Sequence, residues 1–538
     1  MSPVAAVVGA GEHVYGVGGR DHSARNRITV GNSRAGRGGR VGRRLTRVAL
    51  AAAVALTAGC GGPGGPGGQP VTRATSSDTS GLFNGLIGGG TTAASGNPGY
   101  IKGFIGGVVA DEPNAALVGR EVLSAGGTAA DAAVAVGFAL TVTLPSRAGP
   151  GGGGACLAYV PRSKAATGKS DADKGVPEAV MFLSPAPASA VGADRPAGVP
   201  MLARGLYALH ARFGTRRFES LVAPAEQMAH DGIAVSRGLA HDLGVVAAPL
   251  AADAGARAVF FTPAGAPVAE GARLVQPGLA ATLSQLRRSG VGDLYQGGLA
   301  HTLAASARDI GAGLTLDDLR RAVPTMVPPL TLPAAGGLTL AFLPPPADGG
   351  LATAAAFAAL PGGVAAAGAR GLAAAARWRQ GGSDAQAILA STNLPAAGLP
   401  ALPASSTFIT LDPQGGVVVC AVTMNNLFGT GRIAAGTGMV LAASPAALPP
   451  PLLAAVLAYD ARRRSFHAAV GGSGQDGAPL AAALALRAAL AGSVEAPPSP
   501  EPGRANVIEC AEGLPRSARS CAWRADPRGS GLALGSSG

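Results

Sequence analysis

Apolar and polar positions first fall into a helical rhythm within residues 111–124. Leu117, Val118, Val122 and Leu123 there alternate with polar neighbours, and Gly126-Gly127 stop the run. Asp131 then opens a second helix of small residues, rich in alanine on every face, which predicts burial on all sides. PSRAGPGGGGACLAYV (145–160) carries a glycine run into a strand. Such a run signals close passage of backbone against another element, or positive φ angles. Further on, PASSTFITLD (403–412) sets three hydroxyls, Ser405, Ser406 and Thr407, directly before another predicted strand. They read either as a polar strand entry or as a nucleophile.

Composition narrows the classes. The chain has 538 residues and 47% apolar content, enough for a large core, but only 4% aromatics and 83 glycines. That core must therefore be built of small and aliphatic side chains in close layers. Charged residues at 14% lie below the usual quarter, which excludes a coiled coil or a charged disordered protein. The net charge of +12 points to nucleic acid only until it is located. Residues 1–60 hold nine arginines against Glu12 and Asp21, more than half of that excess, so no nucleic-acid partner is expected. Seven scattered histidines, with no HExxH and no CxxC, predict no metal site. The glycine run lacks the GK[ST] of a phosphate loop, so nothing supports nucleotide binding.

The N-terminus reads as targeting. GRRLTRVALAAAVALTAGC (42–60) is an Arg-rich stretch, an apolar run from Val48 to Ala58, then Cys60. That run is too short to span a bilayer but suits a secretory leader. Leu56–Cys60 resembles a bacterial lipobox, whose cysteine is lipidated after cleavage. Residues 61–100, opening GGPGGPGGQP, form a flexible tether of low complexity. The expectation is a soluble body held at the bacterial cell envelope, on its periplasmic or extracytoplasmic face, by a lipid on Cys60. In that compartment disulfides are permitted. Cys510 and Cys521 are spaced to close a small loop, whereas Cys156 and Cys420, in apolar surroundings, read as plain buried thiols.

GGTAADAAVAVGFAL followed by LPSRAGPGGGG resembles the large-subunit signature of the γ-glutamyltranspeptidases, GGNAvDAAvA…EPhssGiGGGG. Further similar stretches follow in the family's order. They are residues 202–236, LVQPGLAATLSQL (274–286), LTLDDL (314–319), PPPADGG (344–350), residues 415–441 and ADPRGSGLALG (525–535). The resemblance spans roughly residues 101 to 538. It implies an α+β fold, the αββα sandwich of the N-terminal-nucleophile (Ntn) hydrolases. It also implies one chain that cuts itself into associated large and small fragments, here 101–404 and 405–538. The activity implied is glutathione hydrolase or γ-glutamyltransferase chemistry on a small-molecule amide, with no cofactor.

The family cuts before the first residue of TTHfS, seven residues ahead of an aspartate. Counted back from Asp412, that position is Ser405. A terminal hydroxyl residue can use its own α-amine as base, because that amine titrates at about 7.7–8.0 and needs no histidine. The resemblance makes Thr423 the partner of the nucleophile and Asn425 part of the glutamyl pocket. It also makes Gly472, Ser473 and Gly474 a blurred match to the oxyanion-hole loop. Three charged or polar anchors are missing. Leu183 stands at the family's substrate-binding Arg, Ala446 and Ala447 at its acidic pair, and no paired serines occur in 449–460. Three readings stay open: an active hydrolase, a self-cleaving protein of altered specificity, and an inactive envelope lipoprotein that keeps the fold for binding or structure.

Overall fold

The computed structural model describes residues 103–161, 175–188, 192–400 and 402–536. The leader, Cys60 and the tether lie outside the described residues. Among the described residues no helix is long and apolar enough to cross a membrane.

Two antiparallel sheets face each other. The first contains β1 (Gly107–Ala110), β2 (Gly153–Tyr159), β3 (Glu178–Phe182) and β6 (Thr325–Val327). It is completed by β9 (Ser406–Leu411), β10 (Val417–Thr423) and β17 (Leu532–Gly535), in the order β17-β1-β9-β10-β2-β3-β6. The second contains β7 (Leu330–Pro333), β8 (Thr339–Phe342), β13 (Ala454–Asp460) and β14 (Ser465–Ser473). With β15 (Arg504–Leu514) and β16 (Cys521–Arg524) its order is β16-β15-β14-β13-β8-β7. Two small ribbons, β4 (Ile233–Ala234) with β5 (Arg273–Leu274) and β11 (Ile433–Ala434) with β12 (Met439–Val440), lie outside both sheets.

Side-chain alternation along the strands builds three apolar layers. Ile409, Leu411, Val417, Val419 and Ala421 point between the sheets, onto Leu453, Leu457, Ala469 and Ile508. The intervening Phe408, Val418, Cys420 and Val422 face a helical layer. That layer includes α1 (Pro113–Ser124), α2 (Ala129–Thr143), α3 (Leu202–Phe213) and α4 (Phe218–Asp231). On the far side, Leu340, Phe342, Val456 and Val470 meet the helices Gly349–Ala359, Val364–Arg379 and Ala478–Leu490. The result is the αββα sandwich.

Every residue of α2 is buried, as its alanine-rich sequence predicts. Its start differs from the expectation. Thr128 is the N-cap, and Asp131 closes the capping box from the third helical position. Asp131 also accepts the Thr215 N–H and hydroxyl at 2.9 and 2.8 Å, so its role is to tie α2 to the α3–α4 connection. The segments 101–404 and 405–538 are not separate bodies, because each contributes strands to both sheets.

The cysteines correct the sequence reading. Cys156 on β2 and Cys420 on β10 are direct register partners with Cα atoms 4.0 Å apart, and they form a disulfide. They are not free thiols; antiparallel pairing brings together two residues 264 positions apart. Cys510 and Cys521, partners on β15 and β16, form the second bridge.

Candidate active site

The hydroxyl run lies at the mouth of the inter-sheet space. Ser406 begins β9 and pairs with Val422, so Ser405 stands one step beyond, next to Thr423 at the end of β10. Ser405 is only 1% exposed. The Thr423 hydroxyl donates to the carbonyl oxygen of Ala404 at 3.0 Å and accepts the Asn425 N–H at 2.9 Å. The carbonyl of the Ala404–Ser405 peptide bond is thus already held by a donor.

Asp111, immediately after β1, braces the same run. Its Oδ2 accepts the Thr407 N–H at 2.8 Å and the Ser406 hydroxyl at 3.2 Å. Its Oδ1 accepts from Nδ2 of Asn506 on β15 at 2.7 Å, and that amide also reaches the Thr407 hydroxyl at 3.1 Å. Burial pushes the Asp111 pKa up, against these hydrogen bonds and the nearby Arg147 charge. From the facing sheet, Gly471 lies against Thr407 so closely that a β-carbon there would stand 2.8 Å from the Thr407 β-carbon. The glycine run works similarly. A β-carbon at Gly152 would stand 2.5 Å from the Thr423 carbonyl oxygen, so close passage, not positive φ, explains that position.

A cavity of about 620 Å³ opens beside this arrangement. Ala404 lines it with Ser473 and Gly474 of the predicted oxyanion loop, with Gln475 after them, with Asn506, and with the charged Asp111, Arg147, Arg237, Asp242, Glu501, Arg504, Asp526 and Arg528. Ser473 ends β14, and Gly474 follows with φ 101°. Gly472 faces away, packed against the Ala478 carbonyl and Ala482, so its contribution is the close approach of the helix behind the sheet. Asn425 is buried with φ 55°, its side-chain amide donating to the Ala443 carbonyl at 3.0 Å. It holds the turn after β10 to the Ala443 loop. The structure therefore brings Ser405, Thr423, Ser473 and Gly474 together, with Asn425 behind Thr423 and Gly472 on the outer face.

Sequence reasoning missed Asp111, Arg147, Asp242 and Asn506. For Arg147 a signal was available: LPSRAGPGGGG puts an arginine where the family signature has a small residue. Asp242 lies on α5 (Arg237–Val245) and is 1% exposed. It binds Nε and Nη2 of Arg147, each at 2.7 Å, and the Ser146 hydroxyl at 2.7 Å. Burial opposes the Arg147 charge, but Asp242 outweighs it and raises the pKa above its ordinary value.

Residues 115–376 match the family described as gamma-glutamyltranspeptidase. The glutathione hydrolase proenzyme of Bacillus subtilis (strain 168) is 33% identical over 246 residues, 44% of this chain and 41% of that protein. Over that segment the chain is similar to the γ-glutamyltranspeptidase family. The glutathione hydrolase proenzyme of Escherichia coli (strain K12) is 30% identical over 236 residues, 41% of this chain and 39% of that protein. The chain's match thus spans about two-fifths of the length of these curated relatives. A cephalosporin acylase from Bacillus halodurans shares the fold, with TM-score 0.65 and 19% identity over 82% of this chain and 98% of that one. The family match ends before Ser405, so the nucleophile assignment rests on the local geometry.

Proposed function

We propose that this protein is an Ntn amidohydrolase or acyltransferase that matures by cutting its own Ala404–Ser405 bond and then uses Ser405 as nucleophile. The observation that carries this reading is the Thr423 hydroxyl on the Ala404 carbonyl. In the uncut chain the Ser405 hydroxyl attacks that carbonyl carbon. Thr423 steadies the developing oxyanion, the amide C–N bond breaks, and the Ser405 nitrogen leaves as an amine. Water then hydrolyses the ester, giving an Ala404 carboxylate and a free N-terminal Ser405. In the mature protein the freed α-amine takes the hydroxyl proton as the hydroxyl attacks a substrate amide, and returns it to the leaving amine. Ser473 and Gly474, across the cavity, are in keeping with a role at the oxyanion.

The substrate differs from an ordinary γ-glutamyl compound in this reading. Leu183 packs into the inter-sheet apolar cluster. Ala447 lines a neighbouring pocket of about 330 Å³ with Leu250, Leu427 and Phe428. An apolar wall there favours an amide without the zwitterionic glutamyl head. The competing reading, an inactive envelope lipoprotein, draws on these same lost anchors. In either case the body is tethered through a lipid on Cys60, in keeping with two disulfides.

Intact mass of the purified, reduced protein, with and without S405A, tests the reading. Two fragments meeting at Ala404–Ser405, lost in the variant, are expected. A single uncut chain from the folded wild type would leave the inactive reading.

A further inference from the structure

Maturation and turnover pass through the same kind of intermediate, an ester on the Ser405 oxygen that water then hydrolyses. The acyl group of the first such ester is the chain's own, ending Leu402-Pro403-Ala404. Where those residues lie therefore shows where the site receives an acyl group. Leu402 is 4% exposed, enclosed with Ala352, Ala375 and Leu452, and Leu372 and Leu399 pack at the edge. Pro403 is buried beside it, and the Ala404 carbonyl accepts from Thr423. Ala352 and Ala375 come from the helices Gly349–Ala359 and Val364–Arg379, and their methyl side chains make room for the leucine. Leu452 stands just ahead of β13, within the stretch 449–460 where the family's paired serines are missing. An apolar pocket is therefore built in the region that has lost polar anchors.

The segment that fills this pocket is otherwise lightly held. Among the described residues from 392 to 403, none makes a hydrogen bond. Residues 392–400 are half-buried or exposed throughout. Once the Ala404–Ser405 bond is cut, the contacts left on 392–403 are apolar, with Leu402 the main one. The pocket can then be vacated and refilled by a substrate whose acyl group carries a leucine-sized side chain at the same distance from the carbonyl.

We propose that the pocket around Leu402 is the acyl subsite of the mature enzyme. Its substrates are peptides with a leucine-sized apolar side chain two residues ahead of the one whose carbonyl is attacked, the pattern of Leu402-Pro403-Ala404. Ser405 adds to that carbonyl carbon, the C–N bond breaks, and the amine leaves with the hydroxyl proton. Water then hydrolyses the ester to a peptide carboxylate. The new end of the large fragment competes for the same pocket as a tethered product. This names the substrate class of the amidohydrolase proposed above and rests on that reading.

The test uses the full chain, after its processing has been read by mass. kcat/KM is measured on acetyl-Leu-Pro-Ala, acetyl-Gly-Pro-Ala and γ-glutamyl p-nitroanilides. The leucyl substrate should be turned over about ten- to hundredfold better than the glycyl one, the range for burying one such side chain. It should also outrun the γ-glutamyl substrate. L402A should slow self-cleavage and, once processed, lower KM for the leucyl substrate, because a tethered alanine competes less. L372A, at the partly exposed rim, should lower the leucyl-to-glycyl ratio of kcat/KM by about threefold or more. If L402A stays uncut, the wild-type comparison and L372A decide. Equal turnover of leucyl and glycyl anilides in the wild type, a ratio unmoved by L372A, or a leucyl KM unmoved in processed L402A overturns the proposal. A processed chain that turns over none of the three anilides overturns it too, while self-cleavage stands. A single uncut wild-type chain overturns the amidohydrolase reading itself, and the proposal with it.

Discussion

At the scale of single residues, most buried polar groups are held by hydrogen bonds, and one of the exceptions among the described residues is instructive. Asp111 has donors on both oxygens, and Asp131 is bound by both Thr128 and Thr215. Glu509 on β15 is 3% exposed, its Oε1 has no hydrogen-bond partner, and burial pushes its pKa up to about 7 from 4.5. Its folded pKa lies above its unfolded one, so the fold favours the protonated carboxyl. Stability from this group is present at low pH and is lost as pH rises from about 4.5 through 7, by at most about 3 kcal/mol. E509Q keeps the shape without the charge. Urea titrations from pH 4.5 to 8 should show a flatter stability profile for the variant, which should also be the more stable of the two at pH 8. A wild-type-like slope in E509Q would mean that water or rearrangement already relieves the buried charge.

At the scale of elements, the site depends on two strand ends from facing sheets meeting closely. β9 brings Thr407 and β14 brings Gly471, with no room between them for a β-carbon. G471A should cost about 1–3 kcal/mol as overpacking, read as a lower urea midpoint, and should slow cleavage at Ala404–Ser405 by shifting β9. G244A, at a helix glycine with nothing within 4 Å, is the control and should do neither. Much at this scale was legible beforehand. The all-apolar run of α2, the glycines leading into β2 and the hydroxyls ahead of β9 are local patterns with local causes, and each became the element expected. What could not be read were pairings set by tertiary approach. Asp111 meets Asn506 across 395 positions and Arg147 meets Asp242 across 95, and neither sequence neighbourhood marks its partner. Cys156 and Cys420 looked like core thiols because their flanks are apolar. Only the β2–β10 register reveals the bridge.

At the scale of the whole molecule, that bridge has a consequence for maturation. Cys156 precedes Ser405 and Cys420 follows it, so the disulfide straddles the bond proposed to break, while Cys510–Cys521 lies wholly on one side. Cleavage would otherwise leave two chains joined only by the interleaved sheets, whose association depends on protein concentration. With the bridge intact, the fragments stay covalently joined and their effective concentration is independent of dilution. Both sulfurs belong to fully buried residues between β2 and β10, so the bond should resist reductant in the folded protein and yield on unfolding. The unreduced, processed protein should therefore run as one species, heavier than the uncut chain by one water. Denaturation with reductant should release the two fragments. A C156A/C420A variant should separate under denaturing conditions without reductant, and its melting temperature should fall on dilution while that of the wild type stays constant. Fragments that part without reductant in the wild type would show the two cysteines unpaired. A dilution-independent variant would show instead that the sandwich interface alone holds the fragments together.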